Sequence, residues 1–167
     1  MPGKVKLLVL DLDRVLWDHH DATSLELPLK RIDERTLVDA KGEVVTLRDN
    51  VPDFLSKVKK RGILLSTCSW NDYNKAVSVL EAFSLDRYFD LLMIEPHPEK
   101  HNMMEKILEH FKKLQPDLSE EDVLFVDDNE EMLEKVKRRF PNMRVLRFHP
   151  EGDIFSFSEL EGIVLGD

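Results

Sequence analysis

Short apolar runs alternate along this chain with longer segments of helical period, and that alternation restricts the fold more than any other feature of the sequence. Val5 to Leu10 is a nearly continuous apolar run, interrupted by Lys6. Ile63-Leu64-Leu65, Phe89 to Ile94, Val123 to Val126 and Arg144 to Phe148 are further runs of strand length. Runs that lack strict alternation suit strands covered on both faces, as in a parallel sheet. Between them, apolar residues recur at helical steps. The sets are Val51, Phe54, Leu55 and Val58; Tyr73, Ala76, Val77 and Leu80; Met103, Met104, Ile107, Leu108, Phe111 and Leu114; and Met132, Leu133 and Val136. Asn50 stands where an N-cap belongs on the first of these helices, with Pro52 in its first turn and Gly62 as its stop. The repetition predicts a three-layer α/β/α fold around a central parallel sheet.

Residues 18–50 break this rhythm. They are polar, and their clearest pattern is Thr36 to Asp39 and Val44 to Leu47 flanking Ala40-Lys41-Gly42-Glu43, a short hairpin. An insertion of this length inside a compact domain reads as a small cap or binding loop. The chain of 167 residues is the size of a single domain, with residues 150–167 as a packed or partly flexible tail. Its 24 Lys and Arg against 33 Asp and Glu leave a formal charge of −9. That balance argues against a nucleic-acid or anionic-membrane partner held by global charge. Cys68 is the single cysteine, which suits a reducing, cytoplasmic compartment.

In open α/β sheets, ligands bind beyond the carboxyl ends of the strands. Here those ends carry Asp11 and Asp13, Ser69, and Asp127-Asp128, with Lys100 just after the third strand. Asp11 and Asp13 point to one side if the segment stays extended. Two carboxylates at such range repel, and a hard divalent cation relieves them. Each residue also has a plainer reading: acids are common in solvated turns, Ser69 is a natural helix cap, and Lys100 is a solvated lysine at a helix start. No glycine-rich phosphate loop is present.

The order of these elements resembles the haloacid dehalogenase superfamily, and within it the magnesium-dependent phosphatases with a minimal cap. The resemblance runs from about Val5 to Phe148. It is carried by LVLDLDRVLW, by Ser69 after GILLSTC, by Lys100 in EPHPEK and by LFVDD, with DRYFD ahead of the third strand. It implies a Rossmann-like fold with a hairpin or loop cap, and a phosphomonoesterase working through an aspartyl phosphate. Asp11 is then the nucleophile and Asp13 the acid and base. Asp11, Asp13 (through its carbonyl), Asp127 and Asp128 hold Mg²⁺, while Ser69, Trp70 and Lys100 bind the phosphoryl group. Small phosphate esters or phosphorylated side chains are the implied substrates, among them aryl phosphates, phosphotyrosine and sugar phosphates, for a monomer or weak homodimer.

Two departures from the family pattern stand out. Arg14-Val15 replaces the usual Thr-bearing pair after the second Asp, and Trp70-Asn71 replaces Arg-Thr after Ser69. Arg14, Trp17 and Asn71 are therefore candidates for substrate contact. Arg14 is placed to anchor an acidic leaving group or to be solvated, and Trp17 to support the core or cap. His97 and His101, His19-His20, Cys68 and the basic run Lys57 to Arg61 read as rim, loop, buried thiol and solvated face respectively. Among other readings, a receiver domain would carry its acidic pair after the first strand and its phospho-acceptor Asp after the third, and this chain does not. A catalytically degenerate, interaction-only member is the remaining alternative.

Overall fold

The computed structural model describes residues 4–166. Strand β1 (Leu7–Leu10) is buried throughout and starts at Leu7 rather than Val5. The insertion supplies β2 (Trp17–Asp18), β3 (Lys30–Asp33), β4 (Thr36–Val38) and β5 (Val44–Leu47), an antiparallel sheet in the order β2-β5-β4-β3. The expected hairpin is β4–β5, but Asp39 leaves the ladder. Its carboxylate accepts the backbone N–H groups of Glu26, Lys41 and Glu43 and so ties the turn together. Strands β2 and β3 were not expected: β2 has two residues, and every position of β3 is exposed, so neither carries a hydrophobic alternation.

Helix α1 (Val51–Lys60) has Pro52 in its first turn and ends before Gly62, whose φ of +77° suits glycine. Asn50 stands at the cap position but caps nothing. It is left-handed, and its amide donates to Glu161 instead. After β6 (Leu64–Thr67) and β7 (Ser69–Trp70) comes α2 (Tyr73–Ala82), capped by Asp72 rather than by Ser69. Its core face is Ala76, Val79 and Leu80, while Tyr73 is exposed and Val77 half-buried. The third expected strand contracts to β8 (Ile94–Glu95), preceded by an isolated bridge at Leu91. The chain before that bridge is a 3₁₀ turn, and Asp90 gives its carboxylate to the Leu65 N–H and Lys59. Then follow α3 (Lys100–Leu114), β9 (Val123–Asp127), α4 (Glu130–Arg139), β10 (Arg144–Arg147) and α5 (Phe157–Leu165). Leu114, expected in the core, is exposed at the end of α3.

The central sheet is parallel in the order β10-β9-β1-β6, and β7–β8 form a short parallel pair. Alternation along the strands generates the layers. Leu8 and Leu10 of β1 and Leu124 and Val126 of β9 pack with Phe54, Leu80 and Phe157, the side of α1, α2 and α5. Leu7, Val9, Val123 and Phe125 pack with Met103, Ile107 and Val136, the side of α3 and α4. The chain therefore has an α/β fold in three layers with a small added sheet. Within 150–167, α5 packs on α1, capped by Ser156 and anchored by the fully buried Leu160 and the nearly buried Phe157. No helix among the described residues is long and apolar enough to cross a membrane.

The register decides which side chains gather at the carboxyl edge of the sheet. Leu10 pairs with Thr67 on one side and Val126 on the other, so β1 and β6 end level and β9 runs one residue further. The next residues, Asp11, Cys68 and Asp127, meet at that edge.

Candidate active site

Asp11 follows the last residue of β1 and is 5% exposed; Asp127 ends β9 and is fully buried. Lys100, the first residue of α3, reaches between them. Its Nζ lies 3.1 Å from Asp11 Oδ1 and 2.5 Å from Asp127 Oδ2. A cation is disfavoured at a helix N-terminus, and here two carboxylates outweigh that cost. Lys100 is 4% exposed, so its plain reading as a solvated lysine does not apply. Burial works against its charge, but Asp11 and Asp127 more than reverse this and hold it protonated.

Asp11, Asp127 and Asp128 bring carboxylate oxygens within 4.8 Å of one another. Three carboxylates facing one ammonium leave surplus negative charge. Burial first, and then the charge of Asp127, push the Asp11 carboxyl well above the usual carboxylate range. Burial also raises Asp128. An all-oxygen set with unbalanced charge fits a hard divalent cation. Among the described residues, no other group of three candidate ligands comes together, so His97 and His101 do not build a metal site. His97 instead pairs with Glu95 at 2.9 Å.

Asp13 lies outside that cluster. The strand has ended by Asp11, and Arg14 adopts φ 66°, so the chain turns and the two acids enter different surroundings. Trp17 Nε1 donates to Asp13 Oδ1 at 2.8 Å and Asn71 Nδ2 to Oδ2 at 2.8 Å, while the Ala22 N–H lies 3.1 Å from both oxygens. Burial raises the Asp13 carboxyl, and these three donors oppose the rise without cancelling it. Thr23 Oγ1 donates to Asn71 Oδ1 at 2.6 Å, which fixes the amide with its NH₂ toward Asp13.

These contacts revise three expectations. Trp17 is fully buried and Asn71 is 2% exposed, and each donates a hydrogen bond to Asp13. Ser69 is 1% exposed and caps no helix; its Oγ accepts from Asn71 at 3.3 Å. Because the N–H groups of Ser69 and Asn71 donate to Met93 and Glu95, that of Trp70 faces the opposite side, toward β1. The Trp70 indole is about half exposed. Cys68 is buried, and burial pushes its thiol up, which disfavours the thiolate that a nucleophile needs. Ala22 and Thr23 were missed altogether, since nothing in a polar loop marks the N–H that will meet the Asp13 carboxylate or the hydroxyl that will meet the Asn71 amide.

Asp11, Asp13, Trp70, Lys100, Asp127 and Asp128 line one cavity of about 240 Å³, together with Arg14, His20, Asn129 and Met132. A buried carboxylate fixed by a lysine, beside a second carboxyl biased toward its protonated form, offers a nucleophile and a proton donor at one opening.

A family model described as Acid Phosphatase matches residues 4–144. Magnesium-dependent phosphatase 1 of Homo sapiens is 31% identical over 111 residues, covering 66% of this chain and 58% of that protein, so the chain spans less than two thirds of that relative's length. Among solved structures, the phosphatase-containing N-terminal part of protein BF1531 from Bacteroides fragilis, complexed with Mg, superposes with a TM-score of 0.57. The identity is 20%, over 85% of this chain and 35% of that one. The HAD-hydrolase YfnB from Bacillus subtilis, bound to magnesium, gives a TM-score of 0.70 at 13% identity, over 97% and 99% of the two chains. At these identities the structural likeness is one of fold.

Proposed function

The chain belongs to the acid phosphatase family of the haloacid dehalogenase superfamily, and from that premise we propose that it is a Mg²⁺-dependent phosphomonoesterase acting through an aspartyl phosphate on Asp11. The observation that carries this reading is the cluster of buried Asp11, Lys100 and Asp127 with half-buried Asp128. An interaction module has no use for three buried ionisable groups in contact and a fourth acid whose oxygen lies within 4.8 Å of the other two carboxylates, since burying them costs more than apolar packing of the same volume.

Asp11, Asp127, Asp128 and the Asp13 carbonyl are the groups that would hold Mg²⁺. Once bound, the ion offsets the surplus negative charge of the cluster and of the phosphoryl oxygens. Lys100 restrains the Asp11 carboxylate and, with Ser69 and the Trp70 N–H, receives the phosphoryl group. An Asp11 oxygen attacks phosphorus in line as the ester P–O bond breaks, and Asp13 gives its proton to the departing oxygen. Asp13, now ionised, takes a proton from water. That water attacks phosphorus, and the Asp11–phosphoryl bond breaks to release inorganic phosphate. Trp17, Asn71 and the Ala22 N–H keep Asp13 aimed through both steps.

Residues 18–50 act as the cap of a single domain that works in the cytoplasm as a monomer or weak homodimer. Its substrates are small phosphate esters or phosphorylated side chains, with no part for nucleic acid. The direct test is hydrolysis of p-nitrophenyl phosphate by metal-free protein before and after Mg²⁺ is added. Restoration by Mg²⁺ supports the reading. Binding of phosphate with no turnover of any monoester would favour the degenerate alternative.

Two further results are expected. Trp17→Phe keeps the ring stacked near Phe83 but deletes a hydrogen bond to a charged acceptor, worth about 1.5–3 kcal/mol. Because Asp13 acts in the chemical step, kcat should fall roughly 10–100-fold, with KM little changed. A variant altered only in KM contradicts this role. The second result concerns pH. In the metal-free fold Asp11 and Asp13 keep protons that the unfolded chain has lost, so folded-state stability declines as pH rises out of the ordinary carboxylate range. Mg²⁺ at one fixed concentration, 100 times its Kd at pH 5, adds about 2.7 kcal/mol there, or roughly 5–10 °C in Tm. That increment should grow from pH 5 to pH 8. An increment independent of pH would show that the ion binds elsewhere.

A further inference from the structure

Resting on the phosphatase reading, we infer that Arg14 and His20 form a second anion subsite at the mouth of the catalytic cavity, and that the preferred substrate is a phosphate monoester whose leaving group carries a further carboxylate or phosphate. The catalytic cavity, at about 240 Å³, is smaller than the roughly 300–1,000 Å³ of ordinary small-molecule sites. A phosphoryl group seated at Asp11 leaves the larger part of a bulky ester to extend outside it. A second cavity of about 430 Å³ adjoins it, and Arg14, His20 and Asp128 line both. A leaving group that extends into the second cavity passes Arg14 and His20.

Both side chains are held available. Arg14 is fixed in a left-handed conformation that costs a non-glycine residue on the order of 1 kcal/mol. Its N–H donates to His19 O at 3.1 Å, and its carbonyl accepts from Arg48 Nη2 at 2.6 Å and Nε at 3.1 Å. The Arg48 guanidinium is spent on this clamp and on the rings of Phe148 and Phe155, 5.0 and 4.9 Å away. It also answers Asp18 and Asp128, the two acids of the second cavity. The Arg14 guanidinium, by contrast, is exposed and has no carboxylate partner among the described residues. His19 is buried, with both ring nitrogens engaged by Asp21 N–H and Glu43. The His20 ring stacks on it at 4.8 Å, and its own nitrogens have no hydrogen-bond partner among the described residues. One unpaired guanidinium and one braced imidazole thus share a rim in a protein of charge −9. Bidentate guanidinium contacts favour carboxylates and phosphates.

The test uses the Mg²⁺-loaded full chain and non-hydrolysable phosphonates in matched pairs. These are ethylphosphonate with 3-phosphonopropionate, and benzylphosphonate with 4-carboxybenzylphosphonate. Calorimetry on the wild type should show at least about tenfold tighter binding of the carboxylated member in one pair or both, weakening with salt. Arg14→Gln should bring that ratio to within about twofold of one, read against a thermal melt that shows the variant folded. Equal affinities within both pairs, a preference that survives Arg14→Gln, or no binding of any phosphonate would overturn the inference. Turnover of the parent phenyl phosphate, measured separately, reports on the phosphatase reading, so the two ideas fail independently.

Discussion

Asp11→Asn should abolish turnover and at the same time make the metal-free protein more stable. The amide is a poor nucleophile and forms no acyl phosphate, so kcat should drop on the order of 10⁴-fold or more, as when other enzymes lose a covalent nucleophile. The stability gain comes from the same carboxylate. Asp11 is desolvated and lies beside Asp127, both of which penalise its charge, and Lys100 compensates only in part. A neutral isostere removes one of three crowded charges and leaves Lys100 its 2.5 Å contact with Asp127. Relief of about 1 kcal/mol appears as a rise of roughly 2–4 °C in Tm for a chain of this size. Kinetics and calorimetry on one preparation measure both effects. Undiminished activity would remove Asp11 as nucleophile. A variant less stable than wild type without metal would mean that Asp11 binds the fold together instead of straining it.

Lys100→Met inverts that pattern. Methionine fills much of the same volume, but Asp11 and Asp127 lose their shared cation in a space that is almost dry. Removing one partner of a buried ion pair typically costs about 3–5 kcal/mol, so Tm without metal should fall by roughly 10 °C. Activity should be lost as well, because the phosphoryl group and the nucleophile share that ammonium. The deficit should shrink in acid, where the stranded carboxyls protonate. It should also shrink in Lys100→Met/Asp127→Asn, where one stranded charge is gone, with a coupling energy of about 1 kcal/mol or more. Additive effects of the two substitutions would show that the contact contributes little.

How much of this was legible in the sequence depended on whether a residue's role was local. Strands β1 and β9 stood out because both faces are covered, which forces unbroken apolar runs such as LLVL and VLFV. The acids at their ends were visible for the same reason, since polarity returns abruptly where the strand leaves the core. Lys100 was ambiguous, because its spacing alone could not show that the first turn of α3 is buried against Asp11 and Asp127. Strand β3 left no trace, with all its positions exposed and its pairing only to β4. Helix α5 carries Gly162 in its last turns, ends at Gly166 and has only a short apolar face, so residues 150–167 read as a tail. The support of Asp13 was the least legible part. Trp17 looked like core and Asn71 like a substrate contact, but their hydrogen bonds depend on a turn at Arg14 and on Thr23 closing from the insertion. Such contacts belong to tertiary geometry, which no local pattern encodes.

The central claim is a covalent phosphoryl-enzyme at one named carboxylate, and chemical trapping tests it most directly. The Mg²⁺-loaded protein would be acid-quenched during turnover of p-nitrophenyl phosphate, reduced with borohydride and digested for mass spectrometry. Borohydride reduces an acyl phosphate of aspartate to homoserine and spares a free carboxylate. The account predicts homoserine at position 11 and at no other aspartate, absent without Mg²⁺. Turnover that proceeds with Asp11 unmodified, or homoserine at position 13, 127 or 128, would contradict it.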